Sequence, residues 1–141
     1  MANTVDITTL LDGPRHIILQ IFLQGDGVGQ DLENFVLLDP ISDLGLKKDS
    51  RFSIDEVLFN FAGFDAILSF DTGLVTKSMI WVLPEGASNY VDFRPFGGFK
   101  DRTSVPGPGT PGDGTGKILL STLGMNSVND FGSLLLKIRK D

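Results

Sequence analysis

Hydrophobic and polar residues alternate with a period of two along most of the chain. Ile17, Leu19, Ile21 and Leu23 share one side of an extended backbone, opposite His16, Ile18, Gln20, Phe22 and Gln24. Phe64, Ala66, Leu68 and Phe70 likewise oppose Asp65, Ile67 and Ser69, and Leu134, Leu136 and Ile138 oppose Ser133, Leu135, Lys137 and Arg139. Successive side chains of a strand point to opposite faces, so this is the pattern of half-buried antiparallel strands. No run of ten or more residues carries a period of 3.6. The alternation predicts an all-β chain with strands near 4–11, 15–24, 32–38, 51–61, 64–71, 77–83, 89–94, 117–123 and 131–139.

Turn chemistry separates these runs. Asp12-Gly13-Pro14, the glycines of 25–29, Ala62-Gly63, Asp71-Thr72-Gly73 and Pro84-Glu85-Gly86 supply positive-φ or φ-fixed positions, and Asp39-Pro40 stops a strand. Within 51–61 the apolar parity switches: Phe52 and Ile54 share one phase, and Val57, Phe59 and Phe61 the other. One extra residue near Asp55-Glu56, a β-bulge, would put both sets on the same face. Met79, Trp81 and Leu83 share a parity and are expected to pack inside. Short strands at this spacing with Gly and Pro turns predict a sandwich or barrel. We read the chain as a single antiparallel β-sandwich domain over 1–141, jelly-roll-like, with a long Gly/Pro-rich loop.

That loop is Arg102 to Gly116, RTSVPGPGTPGDGTG, with three Pro and five Gly. It has too little apolar surface to fold by itself, which predicts a long mobile loop. It reads either as a tolerated surface insertion or as an arm that orders against a neighbouring subunit. Arg102, Thr103, Val105 and Thr110 are the candidate partner-contact residues on it.

Composition narrows the function by exclusion. A chain of 141 residues suits one domain, and folding at that size hides roughly 68% of the unfolded surface, enough for a core without staples. The absence of Cys removes disulfides, thiolate nucleophiles and Cys-based metal sites. A formal net charge of −6 argues against a nucleic-acid partner. The N-terminus lacks a basic start followed by an apolar run of signal-peptide length. No apolar run approaches the ~20 residues of a membrane span, so a soluble chain is expected.

Candidate chemistry is sparse. His16 is the only His, which removes multi-His metal sites, and it reads as a partly covered strand residue with no Gly-x-Ser-x-Gly elbow to serve. Residues 112–117, GDGTGK, depart from a phosphate loop, because Ile118 stands where a magnesium-binding Ser or Thr is needed and a strand follows. Asp39, Asp43 and Asp49 do not fit a calcium loop, since Leu44 occupies the position of its glycine. Asp26 and Asp31 could share a calcium, but acidic turns are common without metal. The expectation is therefore no enzyme and no cofactor. A sugar platform would need exposed rings at Trp81 or Tyr90, the only Trp and Tyr.

One segment stands out: Asp92-Phe93-Arg94-Pro95-Phe96-Gly97-Gly98-Phe99-Lys100-Asp101. Its glycines suit a tight reversal after Phe96, and Arg94 is placed to pair with Asp92 or Asp101 and fix it. With Gly114-Thr115-Gly116-Lys117-Ile118-Leu119-Leu120-Ser121-Thr122 and the closing strand Ser133–Lys140, it resembles small virion structural proteins of tailed bacteriophages, over roughly residues 50–141. This sequence departs at Lys117, where an acid is usual, and in a longer Pro-Gly arm. The resemblance implies a capsid decoration (cement) protein, made in the host cytoplasm and bound to the outer surface of the head. Its implied partners are the major capsid protein or other virion proteins, with no nucleic acid and no membrane. A homo-oligomer, in particular a closed ring such as a trimer, would protect strand edges. The alternatives are a tail, collar or fibre component, or a carbohydrate-binding or adhesion module.

Overall fold

The computed structural model describes residues 3–25, 27, 31–40, 42–45, 52–71, 78–86, 89–101, 116–125 and 127–140. Among them the alternating segments form ten strands: β1 (Thr4–Asp12), β2 (His16–Gln24), β3 (Phe35–Leu38), β4 (Phe52–Ala62), β5 (Asp65–Phe70), β6 (Ser78–Leu83), β7 (Asn89–Asp92), β8 (Phe99–Lys100), β9 (Ile118–Leu123) and β10 (Phe131–Lys140). A single 3-10 turn, Arg94–Phe96, lies between β7 and β8, and no α-helix occurs among the described residues. All pairings are antiparallel. One sheet has six strands in the order β1-β2-β10-β4-β7 with β8 also on β4, and the other runs β3-β9-β5-β6.

The apolar sides of the two sheets enclose one core. Ile17, Leu19, Ile21 and Leu23 of β2, Leu134, Leu136 and Ile138 of β10, and Leu68, Phe70 and Leu120 of the opposite sheet are all buried in it. Phe59, Phe61 and Phe64 stack in series, at centroid separations of 5.7 and 4.9 Å. The predicted bulge is present. Lys137 pairs with Glu56 but Ile138 pairs with Ile54, so Asp55 is the extra residue and both apolar phases of β4 face inward.

A second bulge corrects the sequence reading of β6. Leu68 pairs with Trp81 and Ser69 with Met79, which leaves Ile80 unmatched. Ile80 turns into the core with Leu83, while Met79 and Trp81, expected inside, are exposed. The predicted strand 32–38 also begins late, because Asn34 adopts a φ of 51°. Its first residues are tied by side chains instead: Leu32 N–H donates to Thr122 Oγ1 and Asn34 N–H to Ser121 Oγ, at 2.8 and 2.9 Å.

Asp31 completes this seam. Its Oδ1 accepts from Met125 N–H at 2.7 Å and Thr122 Oγ1 at 3.3 Å, and its Oδ2 accepts from Gly124 N–H at 3.1 Å. Asp31→Ala is expected to cost about 2 kcal/mol, since two amides of the β9–β10 connection lose a charged acceptor. Urea denaturation reads this directly, and a loss below about 0.5 kcal/mol, the level of an ordinary surface change, would show that the seam does not hold the connection.

Candidate functional site

The Asp92–Asp101 segment folds into a braced turn at the edge of the six-stranded sheet. Phe93 points inward, edge-on to Trp81 at 5.3 Å and to Phe99 at 5.4 Å. Its carbonyl accepts from the N–H groups of Phe96 and Gly98. Gly97 and Gly98 have φ values of 81° and 89°, the left-handed conformation that the double glycine was expected to supply. Arg94 clamps the turn from outside: its Nε and Nη2 donate to the two oxygens of Asp92 at 3.0 and 2.9 Å, and its backbone N–H donates to Oδ1. Asp92, rather than Asp101, is thus the carboxylate within the segment that Arg94 grips.

Other strands complete the brace, and sequence spacing could not have named them. Glu56 of β4 lies 2.9 Å from Arg94 Nε and 3.9 Å from Lys137 Nζ. Arg139 of β10 donates to the Gly97 carbonyl at 2.6 Å and lies 3.5 Å from Asp55 Oδ1. The bulged Asp55 is buried, with His16 Nε2 3.7 Å from its other oxygen, and its carbonyl accepts from Phe93 N–H. Gly98 closes over this group so tightly that a Cβ would stand 3.0 Å from Asp55 Oδ1 and 3.1 Å from Arg139 Nη2. Hydrogen bonds from Arg94 hold the Asp92 carboxyl below its ordinary pKa, and Asp92 in turn holds the Arg94 guanidinium above its own. Lost hydration, then a hydrogen bond with Glu56, push the Tyr90 phenol up.

This is an arrangement for holding a shape. The charges pair in contact, and beside the exposed Arg94 the turn presents a large apolar group to solvent: Phe96 is 84% exposed. Beside it the outer face of the six-stranded sheet carries a row across five strands, Thr8–Gln20–Leu135–Leu58–Tyr90, flanked by Asp6–Phe22–Ser133–Asn60. Phe22, Leu58, Tyr90 and Phe131 are each between 44% and 52% exposed. On the other sheet, edge strand β6 presents Met79, Trp81 and Val82 to solvent.

His16 starts β2 against Asp55, as a distant ion-pair contact rather than a hydrogen bond. Asp31 serves the β9–β10 seam, and Asp39 and Asp43 bond within their own turn. Among the described residues no group of three or more His, Asp or Glu side chains is placed to hold a metal. Arg102, Thr103, Val105 and Thr110, with Asp26 and Asp49, lie outside the described residues. Comparison with protein-family models, with curated proteins and with solved structures finds no match.

Proposed function

We propose that this chain is a virion structural protein of a tailed bacteriophage, a decoration protein that binds the outside of the assembled head as a homo-oligomer and stabilises it. The observation that carries this reading is the exposure of large apolar side chains on both sheets, at Met79, Trp81 and Val82 and at Phe22, Leu58 and Tyr90. A chain with apolar surface on opposite sides is suited to sit between neighbours. The braced DFRPFGG turn, on which the resemblance to phage virion proteins rests, adds a rigid apolar tip to that surface.

The strand order supports the finer fold. With β1 set aside, β2-β10-β4-β7 faces β3-β9-β5-β6, and the chain passes from one sheet to the other at β2–β3, β3–β4, β4–β5, β6–β7, β8–β9 and β9–β10. We take this winding as jelly-roll-like, an architecture common in viral capsid and lectin domains. Stabilisation would follow from mass action, because a ligand that binds only the assembled shell favours it by about 2.7 kcal/mol per site at a hundredfold excess over Kd. Repeated copies add multivalency.

The test is a pull-down of the purified chain with DNA-filled heads and with empty precursor shells of the cognate phage, followed by particle imaging. Saturable binding at regular lattice positions on filled heads is expected. Density confined to the tail, or binding to neither particle, would overturn decoration. A second reading, a glycan-binding module, is favoured by the exposure of both Trp81 and Tyr90. Glycan binding abolished by Trp81→Ala would establish it in place of the first.

A further inference from the structure

We propose that Phe96 of one copy docks into a dip on the outer face of the six-stranded sheet of a second copy of this chain. The inference deepens the homo-oligomer part of the reading above and does not depend on the head. Two complementary halves of a contact are present on one molecule. The first half is the Phe96 ring, held out by a turn tied at three points: Arg94 to Asp92, Gly97 to Arg139, Phe93 under Trp81. An aromatic ring presented rigidly loses little freedom on binding, which is the character of an interface anchor.

The second half is a dip of about 340 Å³ over β10 and β4, walled by Leu58, Leu135, Gln20, Asn60 and Ser133. It arises from the register. Leu135 and Leu58 stand directly opposite each other, and the next outward pair along the same strands is the shorter Ser133 and Asn60. Apolar side chains thus form one wall and polar groups the rim, with more than enough room for a phenyl ring. Phe96 does not fill its own dip, since it is 84% exposed. Along β4 the turn spans the Glu56–Asp92 and Ile54–Phe99 pairs, so its near end lies about 7 Å from Leu58 of the dip, at ~3.3 Å per residue.

The occupant is a second copy because ring and dip are carried by the same chain, and local charge does not oppose it. The chain carries a net charge of −6, so two copies repel except through a surface whose charges already cancel. Between turn and dip, among the described residues, the paired ionic groups are Glu56, Asp92 and Lys137, partly buried, and the exposed Arg94, two of each sign and in contact with one another. If each copy both gives and receives a ring, the contact closes as a two-fold dimer, and if it runs head to tail it gives a closed ring or an open filament according to the rotation between copies.

Sedimentation velocity of the full chain tests this, with Phe96→Ser removing the ring and Leu58→Arg filling the dip. Both positions are exposed, so each variant should keep the wild-type near-UV circular dichroism and urea midpoint. The wild type is expected to oligomerise, and each variant to associate at least about tenfold more weakly, as for loss of a central aromatic anchor. An equimolar mixture of the two variants keeps one intact ring and one intact dip, and is expected to form a one-to-one complex and nothing larger. A wild type that is monomeric at every concentration, association unchanged by Phe96→Ser, or variants that do not combine would each overturn the proposal. Oligomers that ignore heads would remove decoration and leave this contact standing, whereas monomers that bind heads would do the reverse.

Discussion

Gly132→Ala is expected to lower the free energy of unfolding by about 3 kcal/mol, the upper range for forcing volume into a packed core. Gly132 pairs with Phe61 across the β10–β4 ladder. The Phe61 ring lies over it, so that an added Cβ would overlap the ring's Cδ1 and stand 2.8 Å from the Asn60 carbonyl oxygen. The ring has nowhere to go, being buried and stacked between Phe59 and Phe64. The backbone oxygen matters too, because a side-chain rearrangement cannot relieve it. Urea denaturation followed by Trp81 fluorescence should show a lower midpoint at unchanged slope. Adding Phe61→Leu should recover part of the loss, since the two positions share one volume and their effects are coupled. Strict additivity of the two substitutions would mean that the ring does not cover the glycine.

The alternation made most strands legible, and two irregularities show where legibility stops. The bulge at Asp55 could be read because apolar and polar residues alternate on both sides of it, so the phase switch leaves a mark. The bulge at Ile80 left none. Residues 79 to 83 are Met-Ile-Trp-Val-Leu, all apolar, so either parity fits and only pairing with Leu68 and Ser69 selects the one adopted. Strand β8, two residues long, is too short to carry a period. Sheet order was not legible at all: β2 pairs with β10 across more than a hundred residues, and local pattern does not encode such a partner.

The same division runs through the candidate site. The Arg94–Asp92 clamp, two residues apart, and the double glycine were readable from spacing. Glu56, Asp55 and Arg139 reach the turn only because β7 and β8 pair with β4 and β4 with β10. Asp31 drew notice as an acid, but its amide partners lie more than ninety residues away, and nothing local distinguishes a latch from a metal ligand. Nothing in the local pattern marks Phe96 as exposed. It ends the 3-10 turn 84% exposed, while Phe93 at the N-cap is buried.

Arg139→Met is expected to cost about 3 kcal/mol, the low end for removing one partner of a buried pair, since Arg139 keeps 24% of its side chain exposed while Asp55 keeps 4%. The loss comes from the carboxylate left behind, whose nearest remaining partner among the described residues is the His16 ring at 3.7 Å. Asp55→Asn in the same chain removes that stranded charge and should restore most of the stability. Association should respond differently. Arg139 also donates to the Gly97 carbonyl, a direct tie from central strand β10 to the turn that carries Phe96. The double variant lacks that tie however stable its core becomes, so its self-association should stay weakened after its urea midpoint has recovered. Recovery of both together would mean that the Gly97 bond does not position the ring, and that the bulge serves only to fill the sheet.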